Sequence, residues 1–176
     1  EGEEGDTGNA AASGDKLDLL LPAAQRRLMD AVLKLDKPTV IVLMAGSAID
    51  LGECAESSKA ILLTWYPGAG GGKAVADILF GKCSPSGKLP VTFYRNEALA
   101  EMPDFTDYSM ANRTYRYYTG VPLYPFGYGL SYVDVRVTSL RADKNAAAVT
   151  VKNCGSVDTE DVVQLYIKDE VSEFAP

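Results

Sequence analysis

The sequence predicts an α/β domain in layers, with a mostly parallel sheet flanked by helices, followed by a truncated all-β sandwich. Two observations predict the first part. Helical segments alternate with β-branched apolar runs, and a glycine-rich turn joins the second such run to a helix. One observation predicts the second part: from Tyr132 the apolar residues alternate with polar ones, which is the two-residue period of antiparallel strands.

The chain opens with an acidic segment, residues 1–16, which is rich in Gly, Glu, Asp and Ala and has no core-facing period. It is predicted to be a flexible, exposed loop. The apolar run 17–21 then enters the fold, and Pro22 suits the first turn of a helix. From Ala24 to about Asp36 the apolar residues recur at helical spacing, which predicts an amphipathic helix.

Two continuous apolar runs, 39–44 and 60–66, predict strands buried on both faces, as in a parallel sheet covered by helices. The residues between them, 48–58, are predicted to form a loop with a short helix. After the second run comes a glycine turn and then a helix over 73–80, with Gly81 in its C′ position.

The remainder divides into a turn, a strand, an aromatic segment and the second domain. The turn is predicted at 84–88 and a further strand at 89–94. The α/β domain is assigned to residues 17–130 and the second domain to 131–176. The second domain offers about three strands, the last at 162–167; three strands cannot cover both faces of a sandwich, so it is predicted to be truncated.

Charge and composition exclude several classes of function. The net charge is −7 and the pI about 4.6, and an acidic chain repels phosphate backbones and anionic lipids. We therefore expect no nucleic-acid partner and no membrane partner. No basic-then-apolar leader opens the chain, and the sequence does not distinguish a cytoplasmic from a secreted protein. The sequence also leaves the oligomeric state open.

The chain contains no histidine and three cysteines. A Ser-His-Asp site, a Cys-His site and an H-E-x-x-H metal site are therefore excluded within this chain. Cys54, Cys83 and Cys154 are far apart and form no C-x-x-C pair, so neither a metal nor another cofactor is expected. Acid or base catalysis must come from carboxylates, Tyr, Lys or Cys.

The glycine run after Tyr66 fails both nucleotide-binding patterns. The phosphate-loop pattern requires Gly where Pro67 stands and Ser or Thr where Ala74 stands. The dinucleotide pattern requires Gly where Lys73 stands. The run is therefore interpreted as a tight strand-to-helix turn with close backbone packing.

Two other clusters have a functional and a structural interpretation. Glu1, Glu3 and Glu4 could supply the acid of glycosidic cleavage, although on residue physics alone they are interpreted as a solvated charge cluster. The aromatic stretch 113–118 could stack on sugar rings, although packing at a domain interface is the preferred interpretation.

Five ordered motifs resemble the second domain of glycoside hydrolase family 3. They are LLLPAAQ (19–25), WYPG with GG and ADILFG (65–81), PSGKLPVTF (85–93), RTYRY (113–117) and YPFGYGLSY (124–132). Residues 133–176 resemble the start of the fibronectin type III-like domain that is common in this family. The chain departs from the family at Lys16, where many members have Arg, and at Gly70, where an acidic or polar residue is usual.

The resemblance implies a retaining, exo-acting O-glycosyl hydrolase of carbohydrate catabolism, acting on β-xylosides or β-glucosides. The nucleophile aspartate would lie on an upstream barrel domain, so the chain alone is expected to be inactive. The acid/base glutamate would come from the loop before the L-P-x-x-Q helix, where E-G-E-E places Glu1 first, with Glu3 and Glu4 as alternatives. A non-catalytic carbohydrate-binding or scaffold module remains the alternative, and the sugar specificity stays open among xylose, glucose and arabinose.

Overall fold

A computed structural model describes residues 16–104, 106–168 and 170–171. The described part contains four α-helices, one 3₁₀ helix and four strands. In chain order these elements are α1 (Ala23–Leu33), β1 (Val40–Leu43), α2 (Glu53–Ser57), β2 (Ala60–Leu63), α3 (Gly71–Leu79), the 3₁₀ helix (Asn96–Glu101), α4 (Thr114–Tyr117), β3 (Val135–Ala142) and β4 (Ala147–Asn153).

The chain forms two compact units that interleave along the sequence. Among the described residues, the first consists of those between 16 and 71 and between 92 and 125, and the second of those between 72 and 91 and between 126 and 171. These units do not test the domain boundary at residue 130, which stays a prediction. Each unit is described below by itself.

The first unit contains a parallel pair of strands. β1 and β2 run side by side in register from Val40 opposite Ala60 to Leu43 opposite Leu63, which confirms the predicted parallel arrangement. The core lies beside this pair and is formed by five buried apolar residues: Leu21, Leu43, Ala45, Ile49 and Leu51. Their burial removes apolar surface from water and is the main source of stability in this unit.

Burial in β1 is less complete than the sequence predicts. Val40 and Val42 are 45% and 37% exposed, whereas Leu43 is buried. The prediction of a strand buried on both faces is therefore wrong for Val40 and Val42. The helix α1 is also incompletely covered, since Leu28 and Val32 are 65% and 38% exposed.

Two predicted strands are not regular strands. The segment 89–94 forms an isolated antiparallel bridge between Phe93 and Tyr124 and backbone hydrogen bonds at Leu89, but no continuous strand, and the segment 162–167 is irregular. A run of apolar residues can satisfy its backbone through turns and loops, so alternation alone overstates the number of strands.

The second unit contains α3 and an antiparallel hairpin. β3 pairs with β4 from Val135 opposite Asn153 to Ala142 opposite Ala147, with a bulge between Val137 and Ser139. Every residue of β4 is exposed. Among the described residues, all buried apolar side chains belong to the first unit.

Candidate functional site

The predicted acid/base candidates Glu1, Glu3 and Glu4 lie outside the described residues. The described chain starts at Lys16, the last residue of the acidic segment. The first anchored residue is Leu19, whose N–H donates to Asn96 Oδ1 at 2.9 Å and whose carbonyl accepts from Asp50 N–H at 2.8 Å. The chain that follows the acidic segment is therefore fixed to two other segments of the first unit.

Asp50 organises this anchor. It is 7% exposed and is the sole buried charged residue among those described. Its Oδ1 accepts from Gly52 N–H and its Oδ2 from Asn96 N–H, both at 2.9 Å. Both carboxylate oxygens are thus used by backbone donors, which is how a buried carboxylate is tolerated in a protein interior.

An aromatic edge forms where the two parallel strands end. Ala45 and Gly46 follow β1, and Trp65 and Tyr66 follow β2. A Cβ added to Gly46 would lie 2.5 Å from Tyr66 ring atoms, so the ring rests directly on the backbone of Gly46. The carboxyl ends of parallel strands are the usual place for ligand sites in such sheets.

Trp65 has strained backbone geometry at this edge. Its φ is 50°, in the left-handed region that side-chain-bearing residues rarely adopt, at a cost of about 1–3 kcal/mol. Its ring packs edge-on against Phe93, with centroids 6.1 Å apart, and Phe93 is buried and contacts Tyr124 in turn. This packing holds Trp65 in its strained conformation.

The glycine run after Tyr66 is a tight turn, as the sequence predicts. Gly68 has φ 64°, and Gly71 N–H donates to Gly68 C=O at 3.1 Å. A Cβ on Gly71 would lie 2.6 Å from the ring of Pro67. The glycines are therefore explained by conformation and close packing, without a phosphate ligand.

The predicted aromatic cluster 113–118 is engaged in local packing. Tyr94 and Tyr118 meet edge-to-face with centroids 4.9 Å apart, and Tyr94 Oη accepts from Thr114 N–H at 2.6 Å. Thr114 has φ 57°, a strained value for a β-branched residue. Arg113 Nη2 donates to the carbonyl of Pro103 at 2.6 Å, so its guanidinium braces the preceding loop.

Several carboxyl groups have a lowered pKa. Hydrogen bonds from Thr106 lower the pKa of Asp104, and those from Ser109 lower the pKa of Asp107. Lys73, followed by Lys82, lowers the pKa of Asp77, and backbone N–H donors in a turn lower that of Asp143. Groups that lose their proton more easily than usual are poorly suited to act as a general acid.

Cys54 borders an open groove of about 400 Å³ between α1 and the loop before α2. Burial, together with a 3.3 Å hydrogen bond from its Sγ to Asp30 Oδ1, raises the pKa of the Cys54 thiol. A protonated thiol is a poor nucleophile and a poor metal ligand. Within the described ranges, no group of three His, Cys, Asp or Glu residues is arranged to hold a metal ion.

The chain belongs to the family described as the glycosyl hydrolase family 3 C-terminal domain, whose profile matches residues 1–132. A xylan 1,4-β-xylosidase of Xylanibacter ruminicola is 42% identical over 162 residues, which cover 89% of this chain and 18% of that protein. A periplasmic β-glucosidase of Salmonella typhimurium is 36% identical, covering 96% of this chain and 24% of its own length.

A solved structure agrees with this assignment. A β-glucosidase from Erythrobacter marinus matches with a TM-score of 0.74 and 38% identity, covering 94% of this chain and 23% of that one. The chain thus spans about a fifth of the length of the relatives that it matches. Over the described residues, no helix has the length and apolar character required to span a membrane.

Sequence reasoning missed two features of this region. Asp50 was assigned to a loop without a role, although a lone Asp between Ile49 and Leu51 is a signal of a satisfied buried carboxylate. Tyr66 was assigned to the end of a strand, whereas β2 ends at Leu63 and leaves Tyr66 at the open edge.

Proposed function

We propose that this chain supplies the proton-donating carboxyl of a retaining, exo-acting β-glycosidase that hydrolyses terminal β-xylosides or β-glucosides in carbohydrate catabolism. The observation that carries the proposal is the family match over residues 1–132, which includes the E-G-E-E segment at the start. The relatives are a β-xylosidase and a β-glucosidase, which supports this class of substrate.

In this proposal Glu1 is the general acid/base, with Glu3 and Glu4 as alternatives. Retaining hydrolysis needs one carboxylic acid to protonate the leaving oxygen and a second carboxylate to attack the anomeric carbon. The four described carboxyl groups with shifted pKa, those of Asp77, Asp104, Asp107 and Asp143, are all shifted the wrong way for an acid. The resemblance favours Glu1, because the family's acid/base glutamate precedes the L-P-x-x-Q helix, where E-G-E-E stands in this chain.

The attacking aspartate belongs, in this proposal, to a barrel domain that precedes the chain in the complete enzyme. Glu1 acquires the raised pKa of a general acid only when the sugar and the barrel exclude water around it. The chain by itself is therefore inactive. The exposed apolar residues of β3 and β4, such as Leu140 at 65%, support the view that residues 131–176 begin a fibronectin type III-like sandwich.

The test uses a chimera in which this chain replaces the segment of the Xylanibacter ruminicola xylosidase that it matches. Glu1→Gln removes the proton donor but leaves the nucleophile. We expect kcat to fall by about 10²–10⁴ on unactivated xylobiose. The loss should be much smaller on an aryl xyloside whose leaving group needs no protonation.

Glu3→Gln and Glu4→Gln are the matched controls, and the chain alone is assayed beside the chimera. Equal losses for Glu1→Gln on both substrates would remove Glu1 from the acid role. A leaving-group-dependent loss in Glu3→Gln or Glu4→Gln instead would transfer the role to that residue. Turnover by the chain alone would contradict the requirement for a barrel.

A further inference from the structure

Tyr66 presents a large aromatic ring at the open end of the parallel sheet. Its residue is 71% exposed, although it directly follows Trp65, which is half-buried. The ring rests on Gly46, because a Cβ at that position would overlap the Tyr66 hydroxyl and lie 2.5 Å from Cζ. The hydroxyl end of the ring therefore lies against backbone, while most of the side chain is exposed.

The strained turn at Trp65 positions the ring of Tyr66. The backbone turns through φ 50° at Trp65, while the Trp65 side chain packs against buried Phe93. The turn thus packs the half-buried Trp65 against Phe93 and leaves the next aromatic, Tyr66, at the exposed edge. Strained conformations of this kind persist at sites where the geometry serves a function.

The neighbouring edge of β1 is apolar as well. Met44, which directly follows β1, is 65% exposed. An exposed aromatic ring that contacts backbone at its hydroxyl end suits a ligand with an apolar face and polar rims. The C–H face of a pyranose ring has this character, and its hydroxyl groups stay hydrated when the face is covered.

We propose that Tyr66, supported by Gly46, is a stacking platform for a pyranose ring of a β-linked xylo- or gluco-oligosaccharide. The site uses none of the opening glutamates, and its residues belong to the first unit. The choice of ligand class rests on the proposed function. The site itself rests on the exposure of Tyr66, the contact with Gly46 and the strained turn.

The experiment uses the chain of 176 residues and exploits its one tryptophan, Trp65, which is adjacent to the platform. Xylobiose and cellobiose are titrated into the millimolar range while Trp65 emission and the Tyr66 ring ¹H–¹³C NMR signals are followed. We expect saturable changes in both. Unchanged Tyr66 ring signals with both sugars would overturn the proposal.

Four variants separate stacking from general effects. Tyr66→Ala should weaken binding about fivefold or more, whereas Tyr66→Phe keeps the ring and should stay within about twofold. Gly46→Ala displaces the ring without touching the sugar and should weaken binding as well. Tyr108→Ala, which removes an 86% exposed ring elsewhere in the same unit, is the control and should have no effect.

The proposal fails if Tyr108→Ala weakens binding as much as Tyr66→Ala, or if Tyr66→Ala binds as well as the original chain. Folding of each variant is checked by circular dichroism. If Tyr66 does not bind sugar but Glu1→Gln in the chimera shows the expected dependence on the leaving group, only the stacking proposal is refuted. If Tyr66 binds sugar but Glu1→Gln shows no dependence on the leaving group, only the acid/base role of Glu1 is refuted.

Discussion

A single buried carboxylate joins three segments of the first unit. Asp50 accepts backbone N–H groups from its own loop and from the start of the 3₁₀ helix, while its own N–H holds the segment after the acidic opening. Each oxygen faces a donor, so the side chain must be an acceptor at both positions. This requirement leads to a prediction at the scale of one atom.

Asp50→Asn replaces one carboxylate oxygen with an NH₂ group that faces a backbone N–H. One of the two buried donors, on Gly52 or Asn96, is then left unsatisfied. We expect the free energy of unfolding to fall by about 1–3 kcal/mol, measured by urea denaturation.

Asp143→Asn is the matched control. Asp143 also accepts two N–H groups, from Asn145 at 2.7 Å and Ala146 at 3.0 Å, but it uses one oxygen for both and is exposed. An amide oxygen can replace that oxygen, so stability should change by less than about 0.5 kcal/mol. A similar loss of stability in the two variants would contradict the proposal that both carboxylate oxygens of Asp50 are required as acceptors.

At the scale of elements, two sequence motifs of the second unit pack together. The turn of PSGK lies against the FGYG segment: Leu89 N–H donates to Tyr128 C=O at 2.8 Å and Gly127 N–H to Leu89 C=O at 2.7 Å. Lys88 Nζ donates to Gly129 C=O at 2.7 Å and pairs with Asp161 at 3.3 Å. The two motifs are therefore parts of one structural element.

The contact leaves no room for a side chain at Gly129. A Cβ there would overlap the carbonyl oxygen of Gly87, which is backbone and cannot rotate away. We expect Gly129→Ala to lower the free energy of unfolding by about 1–3 kcal/mol, measured by thermal or urea denaturation.

Gly87→Ala tests the same contact from its other side. A Cβ on Gly87 would meet nothing within 4 Å, so this variant should be tolerated. If Gly87→Ala destabilised the chain as much as Gly129→Ala, the direction of the clash inferred here would be wrong.

At the scale of the whole molecule, burial is unevenly distributed between the units. The buried apolar residues described all lie in the first unit, whereas β3 and β4 are exposed along almost their whole length. An isolated two-stranded hairpin is at best marginally stable in water. The two units should therefore differ in local stability.

Hydrogen exchange measures this difference directly. Amides of β1 and β2 should exchange slowly, because the core around Leu43 and Ala45 lies beside them. Amides of β3 and β4 should exchange much faster in the same chain. Equal protection of the two strand pairs would show that the hairpin is stabilised by something other than its own pairing.

Helices and turns could be predicted from the sequence because they depend on residues close together in the chain, whereas not all strands could. The helix α1, the short helix α2 and the glycine turn were predicted because proline, glycine and helical spacing act within a few residues. The strands predicted at 89–94 and 162–167 failed because strand formation requires a partner, which lies far away in the sequence. The opening glutamates lie outside the described residues, so their assignment stays a prediction.

The sequence by itself determined the family, the parallel strand pair and the exclusion of histidine chemistry, since composition and ordered motifs are properties of the chain. Only the tertiary structure decided that Asp50 joins three segments and that Tyr66 rests on Gly46. These contacts connect residues 20 or more positions apart, and no local preference specifies such distances. Side chains acquire such roles when packing of the core brings distant backbone segments together.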